Sequence, residues 1–349
     1  MRTIRLGTRA SALATTQSRH VADLLTAATG ATVELVPIVS YGDVATGSLA
    51  SLGGTGVFAA ALREALLRGE CDVVVHSMKD LPTAAHPGLS IGGIPARERQ
   101  NDVLCATGGR ALAALPPGAR VGTGSPRRAA QVRRVRPDLV VVDIRGNVDT
   151  RLRRVAAGEY DAIVLAEAGL RRIGRTDEIS EVFPLEEWPT SAAQGALAVE
   201  LRQDDLDGAL GEALRSITDP VAAATALLER EVLALLEAGC TAPIAVSATA
   251  VGGEVRLHAE VYSADGREVA RARATAPLAA LIPVPAHPAP AALIPAPLTT
   301  RARVATAVAT TLLAEGATFL AEGASTLAEG ATFPAEGAST PADTPEPRS

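Results

Sequence analysis

The chain has 349 residues and a formal net charge of −6, with 47% hydrophobic but only 2% aromatic residues. That length allows two or three domains, whose cores must be aliphatic, and the acidic balance argues against general affinity for nucleic acid or anionic membrane. Cys71, Cys105 and Cys240 are widely spaced with no CxxC-type pairing, which suits a reducing cytosol and gives no metal-binding pattern.

The N-terminal segment is interrupted by Arg2, Arg5 and Arg9, so it lacks the apolar core of a signal peptide and a soluble cytoplasmic protein is expected. Residues 3–8 predict a first strand. Ser11 is placed to cap a helix running to about residue 28, closed by Gly30. A second strand over 32–39 leads into a Gly-rich loop, 42–56, whose small residues suggest a flap. A helix over 57–68 returns the chain to VVVHSMKDLP, a buried strand at 73–75 followed by a polar turn with Lys79 and Asp80 side by side. Lys79 is the only lysine of the chain. Either chance left it there or a guanidinium does not fit.

Strand and helix alternate, which predicts mainly parallel sheets covered on both faces, with ligands beyond the carboxyl ends of the strands. Arg9, Ser11 and the turn at 76–80 all fall at such ends. After a strand at 91–94, residues 96–102 read as a hinge into a second unit whose first strand lies near Val121. There GTGSPRR forms a Gly/Ser turn opening a helix at Pro126, a geometry able to cradle an anion. A strand over 139–144 ends in Arg145-Gly146-Asn147, with Asn147 as N-cap, and a strand over 161–166 leads into AGLRRIG. Between Arg127 and Arg175 twelve arginines face six acids. For Arg133, Arg134, Arg136, Arg153 and Arg154 solvated helix faces are the favoured reading. Arg127, Arg128, Arg145 and Arg172 sit beside strand ends and turns, which favours contact with a polyanionic ligand. Residues 191–201 cross back to the first unit, with Gln194 at the crossing.

A third unit opens on Asp219-Pro220, an N-cap followed by Pro at the first helical position, and its helix shows apolar positions at Val221, Leu228, Val232 and Leu235, ending at Gly239. Strands over 242–250, 254–263 and 268–276 are joined by Gly252-Gly253 and Asp265-Gly266. Val255, Leu257, Ala259 and Val261 alternate with polar residues, so one wet face is expected. Seven prolines from Pro277 to Pro297 exclude a membrane-spanning helix and suggest an extended insertion. A closing helix over 300–314 precedes a seven-residue repeat, LAEGATF and its variants, read as a disordered tail.

Taken together, VVVHSMKDLP, VGTGSPRR, IRGNVDTRL, AGLRRIG, AAQGALAVEL and EAGCTAPI, in order over residues 3–275, resemble the hydroxymethylbilane synthase (porphobilinogen deaminase) family. The resemblance implies an α/β fold of two doubly wound, periplasmic-binding-protein-like lobes plus a small α+β C-terminal domain with a three-stranded antiparallel sheet. The first lobe would span 1–95 and 195–215, the second, Arg-rich lobe 100–190, and the cofactor-attachment domain 218–276 plus about 300–315. The Pro-rich insertion (277–299) and the repeat tail (316–349) fall outside the family pattern. The implied activity joins four porphobilinogen molecules head to tail with loss of ammonia on a covalent dipyrromethane primer, then frees a linear tetrapyrrole by hydrolysis. Cys240 would carry the primer as a thioether. Asp80 would be the catalytic carboxylate, stabilising positive charge on pyrrole nitrogen. Arg9, Ser11, Ser77, Lys79, Arg127, Arg128, Arg145, Arg151 and Arg172 would hold acetate and propionate arms, with neutral contacts from Thr123, Ser125, Gly146, Asn147 and Gln194. Some bacterial relatives carry lysines flanking the glycine pair of the flexible loop, where this chain has Ser51 and Thr55. The substrate is the expected partner, with no nucleic acid, membrane or metal, and the chain is expected to be a monomer.

Two other classes fit the same residues. A two-lobed anion-binding protein without chemistry would have the mass of its sequence, whereas the enzyme would be heavier by its primer. A nucleic-acid binder built on the arginines would show steep salt dependence, against which the scarcity of aromatic residues speaks.

Overall fold

The computed structural model describes residues 3–38, 57–236, 242–282 and 298–315. The expectations for the loop at 42–56, for Gly239 and Cys240, for most of the Pro-rich insertion and for the repeat tail lie outside the described residues.

The strands sort into three sheets. In the first, β1 (Ile4–Thr8), β2 (Val33–Pro37), β3 (Val73–Ser77), β4 (Leu89–Gly93) and β10 (Leu197–Arg202) lie in the order β2-β1-β3-β10-β4. In the second, β5 (Asp102–Ala106), β6 (Arg120–Gly122), β7 (Val140–Val142), β8 (Ala162–Ala166) and β9 (Glu181–Val182) lie in the order β7-β6-β8-β5-β9. Each is an α/β lobe whose parallel strands are joined through helices, as expected from the sequence.

Neither sheet is purely parallel. β10 runs antiparallel to β3 and β4, and β5 runs antiparallel to β8 and β9. Both reversed strands enter their lobe straight from a crossover, without the helix that would bring a chain back to run in the same direction. This corrects two expectations. Asp102 is not hinge but the first residue of β5, and residues 197–201 are a central strand of lobe 1, not only a crossing segment.

Helix α1 (Ala12–Thr29) follows β1 because Ser11 accepts the Ala14 N–H at 3.3 Å and Gly30, at φ +68°, closes its far end. Its Val21 and Leu25 are fully buried with Leu6 and Val73, each such side chain stabilising the fold by ~1.5–3 kcal/mol. Helix α2 (Val57–Leu67) covers the same sheet and brings Arg63 onto Glu200 of β10, with bonds of 2.9 and 2.7 Å. His76 Nε2 of β3 lies 3.1 Å from the same carboxylate, off the line of a hydrogen bond. Burial raises the Glu200 carboxyl, but His76 and Arg63 outweigh it and hold its pKa at about 2.

In lobe 2, α3 (Pro126–Val135), α4 (Val148–Ala156) and α5 (Glu167–Arg172) follow β6, β7 and β8. Ser125 caps α3, and Asn147 caps α4 by accepting the Thr150 N–H at 2.9 Å. The outer arginines are structural: Arg136 holds the carbonyls of Leu112, Ala113 and Leu115, and Arg154 pairs with Glu159.

After α6 (Ala209–Ser216), the third sheet consists of β11 (Ile244–Val251), β12 (Glu254–Tyr262) and β13 (Val269–Pro277), all antiparallel, with α7 (Pro220–Leu235) and α8 (Leu298–Ala314) packed on it. Helix α7 does not present the single stripe expected. Ala222, Ala223, Ala224, Ala226, Leu228 and Val232 are all buried while Leu235 is exposed, because the helix is wedged between this sheet and lobe 1. The polar face of β12 is likewise wet only in part. Glu260 and Tyr262 are buried, with Tyr262 packed beside Ala130 of α3. Gly266 makes that approach possible: at φ +76°, an added Cβ would stand 2.3 Å from the Ala130 carbonyl oxygen.

Glu200 has a folded pKa below its unfolded value, so its contribution to stability is complete above about pH 4.5 and is lost as pH falls toward 2. Replacing Glu200 by Gln should destabilise the protein by about 3–5 kcal/mol at neutral pH, since the Arg63 charge stays buried. Denaturant titrations from pH 7 down to pH 2.5 should also show a shallower acid loss in the variant than in the wild type.

Candidate active site

The two crossovers, 95–101 outward and 183–196 back, lie against each other, with Glu98 bonded to Gly195 and Gln194 to Gln100. Gly195 marks their contact. At φ +86° it receives the Glu98 N–H on its carbonyl, and a Cβ there would stand 2.3 Å from the Glu98 oxygen, so only glycine fits. Ala193, two residues earlier, has φ +60°, the one non-glycine residue in the left-handed region among those described. Glu229 accepts its N–H at 2.6 Å and fixes this costly conformation.

Asp102, at the start of β5, has no exposed surface. Its carboxylate accepts hydrogen bonds from Arg127 Nη2 at 2.8 Å, Arg128 Nη2 at 2.6 Å, Gln194 Nε2 at 2.9 Å and Trp188 Nε1 at 3.1 Å. Burial opposes its charge, yet the two guanidinium groups hold the carboxyl far below the usual range. Gln194 Oε1 in turn accepts from Lys79 Nζ at 3.2 Å and Arg128 Nη2 at 3.3 Å. One glutamine from the second crossover therefore joins lobe 1, through Lys79, to lobe 2, through Arg128.

The turn bearing Lys79 and Asp80 is a short 3₁₀ segment, Met78–Asp80, fixed by the buried side chains of Met78 and Leu81 and by the Met78 N–H bonded to the Ala196 carbonyl. Burial and the Arg128 charge push the Lys79 ammonium down to about 8, only partly offset by Asp80 and Asp102. Asp80 itself is exposed. Ser77, ending β3, takes a hydrogen bond from the buried Gln17 of α1 at 3.0 Å. Arg9 and Ser11 follow β1 on the same side of the sheet.

On the lobe 2 side, Thr123 is buried and accepts the Ser125 N–H, while Ser125 accepts that of Arg128. Arg145 is half-exposed beside Asp143 at 2.9 Å. Gly146, at φ +109°, turns its carbonyl to Arg151 Nε at 2.7 Å. Burial, then the charges of Arg128 and Arg145, lower Arg151 to about 10. Arg172 donates to the Gly195 carbonyl at 2.6 Å, and burial lowers it too, to about 10. Cations whose pKa values are depressed by burial and by one another are short of negative charge, which is the environment a ligand with several carboxylates would complete.

Arg127 stands apart from this set. It is 2% exposed and points inward, donating to Asp102, to Gln131 Oε1 at 2.7 Å and to the Pro189 carbonyl. Cys240 lies outside the described residues. Cys71 and Cys105 are free and buried, and burial pushes their thiols up to about 11 and about 12. The hubs Asp102 and Glu229 were not singled out from sequence. A lone acid at a strand start and one inside an Ala-rich helix carry no local signal, although an acid that opens an apolar strand, as in NDVLCA, hints at a buried partner.

The family model described as "Porphobilinogen deaminase, dipyromethane cofactor binding domain" matches residues 4–209, and "Porphobilinogen deaminase, C-terminal domain" matches residues 223–283. The chain is 52% identical over 265 residues to the porphobilinogen deaminase of Leifsonia xyli subsp. xyli, covering 75% of this chain and 80% of that protein. To that of Thermobifida fusca it is 51% identical over 272 residues, covering 78% and 85%. Among solved structures it is similar to the methionine binding protein MetQ, with a TM-score of 0.41, 12% identity, and coverage of 66% of this chain and 90% of that one. By sequence along both of its matched segments, the chain belongs to the porphobilinogen deaminase family.

Proposed function

We propose that Asp80 is the carboxylate on which each condensation turns, that Cys240 carries the primer, and that the cations around Gln194 hold the acidic arms of the growing chain. The activity is that of the family: a transferase of tetrapyrrole biosynthesis that condenses four porphobilinogen molecules on a dipyrromethane cofactor. What carries the assignment of roles is the Gln194 junction, which brings Lys79, beside Asp80, within one side chain of the arginines of lobe 2. We divide the labour accordingly. Residues 1–95 and 195–215 bear the catalytic turn, 100–190 bear most of the arginines, and 218–276 with about 300–315 bear the attachment site.

The donor set fits the cofactor, whose rings bear several carboxylates. Lys79, Arg128, Arg151 and Arg172 offer guanidinium forks and one compact ammonium, each worth ~1.5–3 kcal/mol when bonded to a carboxylate. When bound, the dipyrromethane supplies a terminal pyrrole carbon as the nucleophile. Asp80, exposed at the end of the 3₁₀ turn, places a negative charge where the reacting pyrrole nitrogens become positive and can hold their proton as it leaves. Arg9, Ser11 and Ser77 lie on the Asp80 side and are assigned to the reacting rings. Arg145 and the N-terminal turns at Thr123, Ser125, Gly146 and Asn147 are assigned to rings already joined. Arg127 contributes by fixing Asp102. The enclosed, high-pKa thiols of Cys71 and Cys105 support Cys240 as the attachment sulfur. We place the protein in the cytoplasm, and because both lobes of one chain supply the cations, a monomer suffices.

Two outcomes follow. The isolated protein should be heavier than its sequence by a two-ring adduct that is absent in Cys240→Ser. Asp80→Asn should keep the adduct yet release ammonia from porphobilinogen at least ~100-fold more slowly, within the range for a lost acid–base group; near-normal release would remove Asp80 from the mechanism. Lys79 provides a pH test. With a folded pKa depressed to about 8, its charge costs stability in full below about pH 8, and that cost fades as pH rises from about 8 toward the ordinary lysine value of 10.5, while its hold on a carboxylate weakens from about pH 8 upward. Acylation of this sole ε-amine in Cys240→Ser, read by peptide mapping, should rise with a midpoint near pH 8, and the loaded wild type should resist acylation.

A further inference from the structure

Helix α7 of the third unit carries two adjacent charged residues that reach in different directions. Glu229 is fully buried and accepts from Nη1 and Nη2 of Arg97 in the first crossover, from the Ala193 N–H in the second, and from the Ala248 N–H of β11. Arg230 turns to lobe 1. Its Nη1 donates to the Met78 carbonyl at 3.2 Å and the Leu81 carbonyl at 2.9 Å, and its Nη2 to the Pro82 carbonyl at 2.6 Å.

These three acceptors bracket Asp80 in the chain, at positions −2, +1 and +2. The Met78 carbonyl also accepts the Leu81 N–H at 3.3 Å, which closes the Met78–Asp80 turn, and the guanidinium ties that closed turn to the carbonyls of Leu81 and Pro82 just beyond it. A planar guanidinium presents donors in a fixed fork, so holding three carbonyls at once sets the path of the backbone on both sides of the carboxylate. A lysine, with one point charge, would not hold that spacing.

We propose that Arg230 is a positioning residue for the condensation, through which the third unit fixes the backbone that aims Asp80 at the reacting rings. This rests on the reading of Asp80 as the charge-bearing carboxylate. It adds that the precision of that carboxylate is supplied from the unit assigned to carry the primer. Arg230 touches neither substrate nor primer in this account; it acts on kcat by holding Asp80 in place.

The test is a double-mutant cycle on the loaded enzyme with porphobilinogen. Arg230→Gln should keep the two-ring adduct by intact mass, lower kcat about 10- to 100-fold, the scale of an ångström-level misplacement, and change KM by less than about threefold. Arg230→Lys should restore little of the loss. The double variant Arg230→Gln with Asp80→Asn should be no slower than Asp80→Asn alone, because a misplaced carboxylate and a missing one forfeit the same stabilisation. Should Arg230→Gln not fold, the same cycle is run with Arg230→Lys. Multiplying losses in the double variant, or an Arg230→Gln enzyme with wild-type kcat beside an inactive Asp80→Asn, overturns this proposal alone. Near-normal turnover by Asp80→Asn on its own overturns the Asp80 reading and this proposal with it.

Discussion

A carboxylate with no exposed surface, Asp102, gathers two guanidinium groups, an indole N–H and a carboxamide where the crossovers meet the second lobe. Bringing three charges out of water is costly and is tolerated only where the geometry satisfies nearly every donor. Here the cost serves alignment. One negative charge opposes Arg127 and Arg128, so the cluster keeps a net positive charge for ligand, and Gln194, fixed by the same carboxylate, passes the alignment to Lys79 on the other lobe. A cleft of mutually repelling cations would otherwise splay in the absence of bound acid.

The polar framework continues beyond the cleft. Arg127 leads to Gln131, Gln131 to the Tyr262 hydroxyl, and Tyr262 to Glu260, which also takes Arg271 and His258. Burial opposes the Glu260 charge, but His258, Tyr262 and Arg271 hold the carboxyl at about 2. With the Glu229–Arg97 pair, this gives the third unit polar ties to both crossovers and to lobe 2. Such buried pairs are poor sources of net stability but define one arrangement sharply, because breaking any one leaves a charge stranded.

Much of this was legible in the sequence. The caps at Ser11, Asn147 and Asp219 are local hydrogen bonds, readable because the partner lies three residues on. The lone lysine marked the turn that Gln194 ties to Arg128 of the second lobe, and the run of arginines marked the region where Arg128, Arg151 and Arg172 lie buried or partly buried. What stayed hidden was long-range. Whether β5 and β10 run with or against their neighbours depends on how the chain crosses between lobes, which no period in the sequence encodes. Arg127 and Arg128 stand side by side in sequence, yet one is consumed by Asp102 and Gln131 while the other also reaches Gln194, a division set mainly by Asp102 and Gln194, 25 to 66 positions away. The wet face expected of β12 failed at Glu260 and Tyr262 for the same reason, since α3 covers them.

The central claim is that Asp102 organises the acid-binding cations, and the measurement that addresses it most directly is the intact mass of folded Asp102→Asn as purified and after incubation with porphobilinogen. Asparagine keeps the shape and loses the charge that collects Arg127, Arg128 and Gln194. The account predicts a folded protein with a reduced fraction carrying the two-ring adduct and a truncated series of loaded species. Full loading with a wild-type series would contradict it.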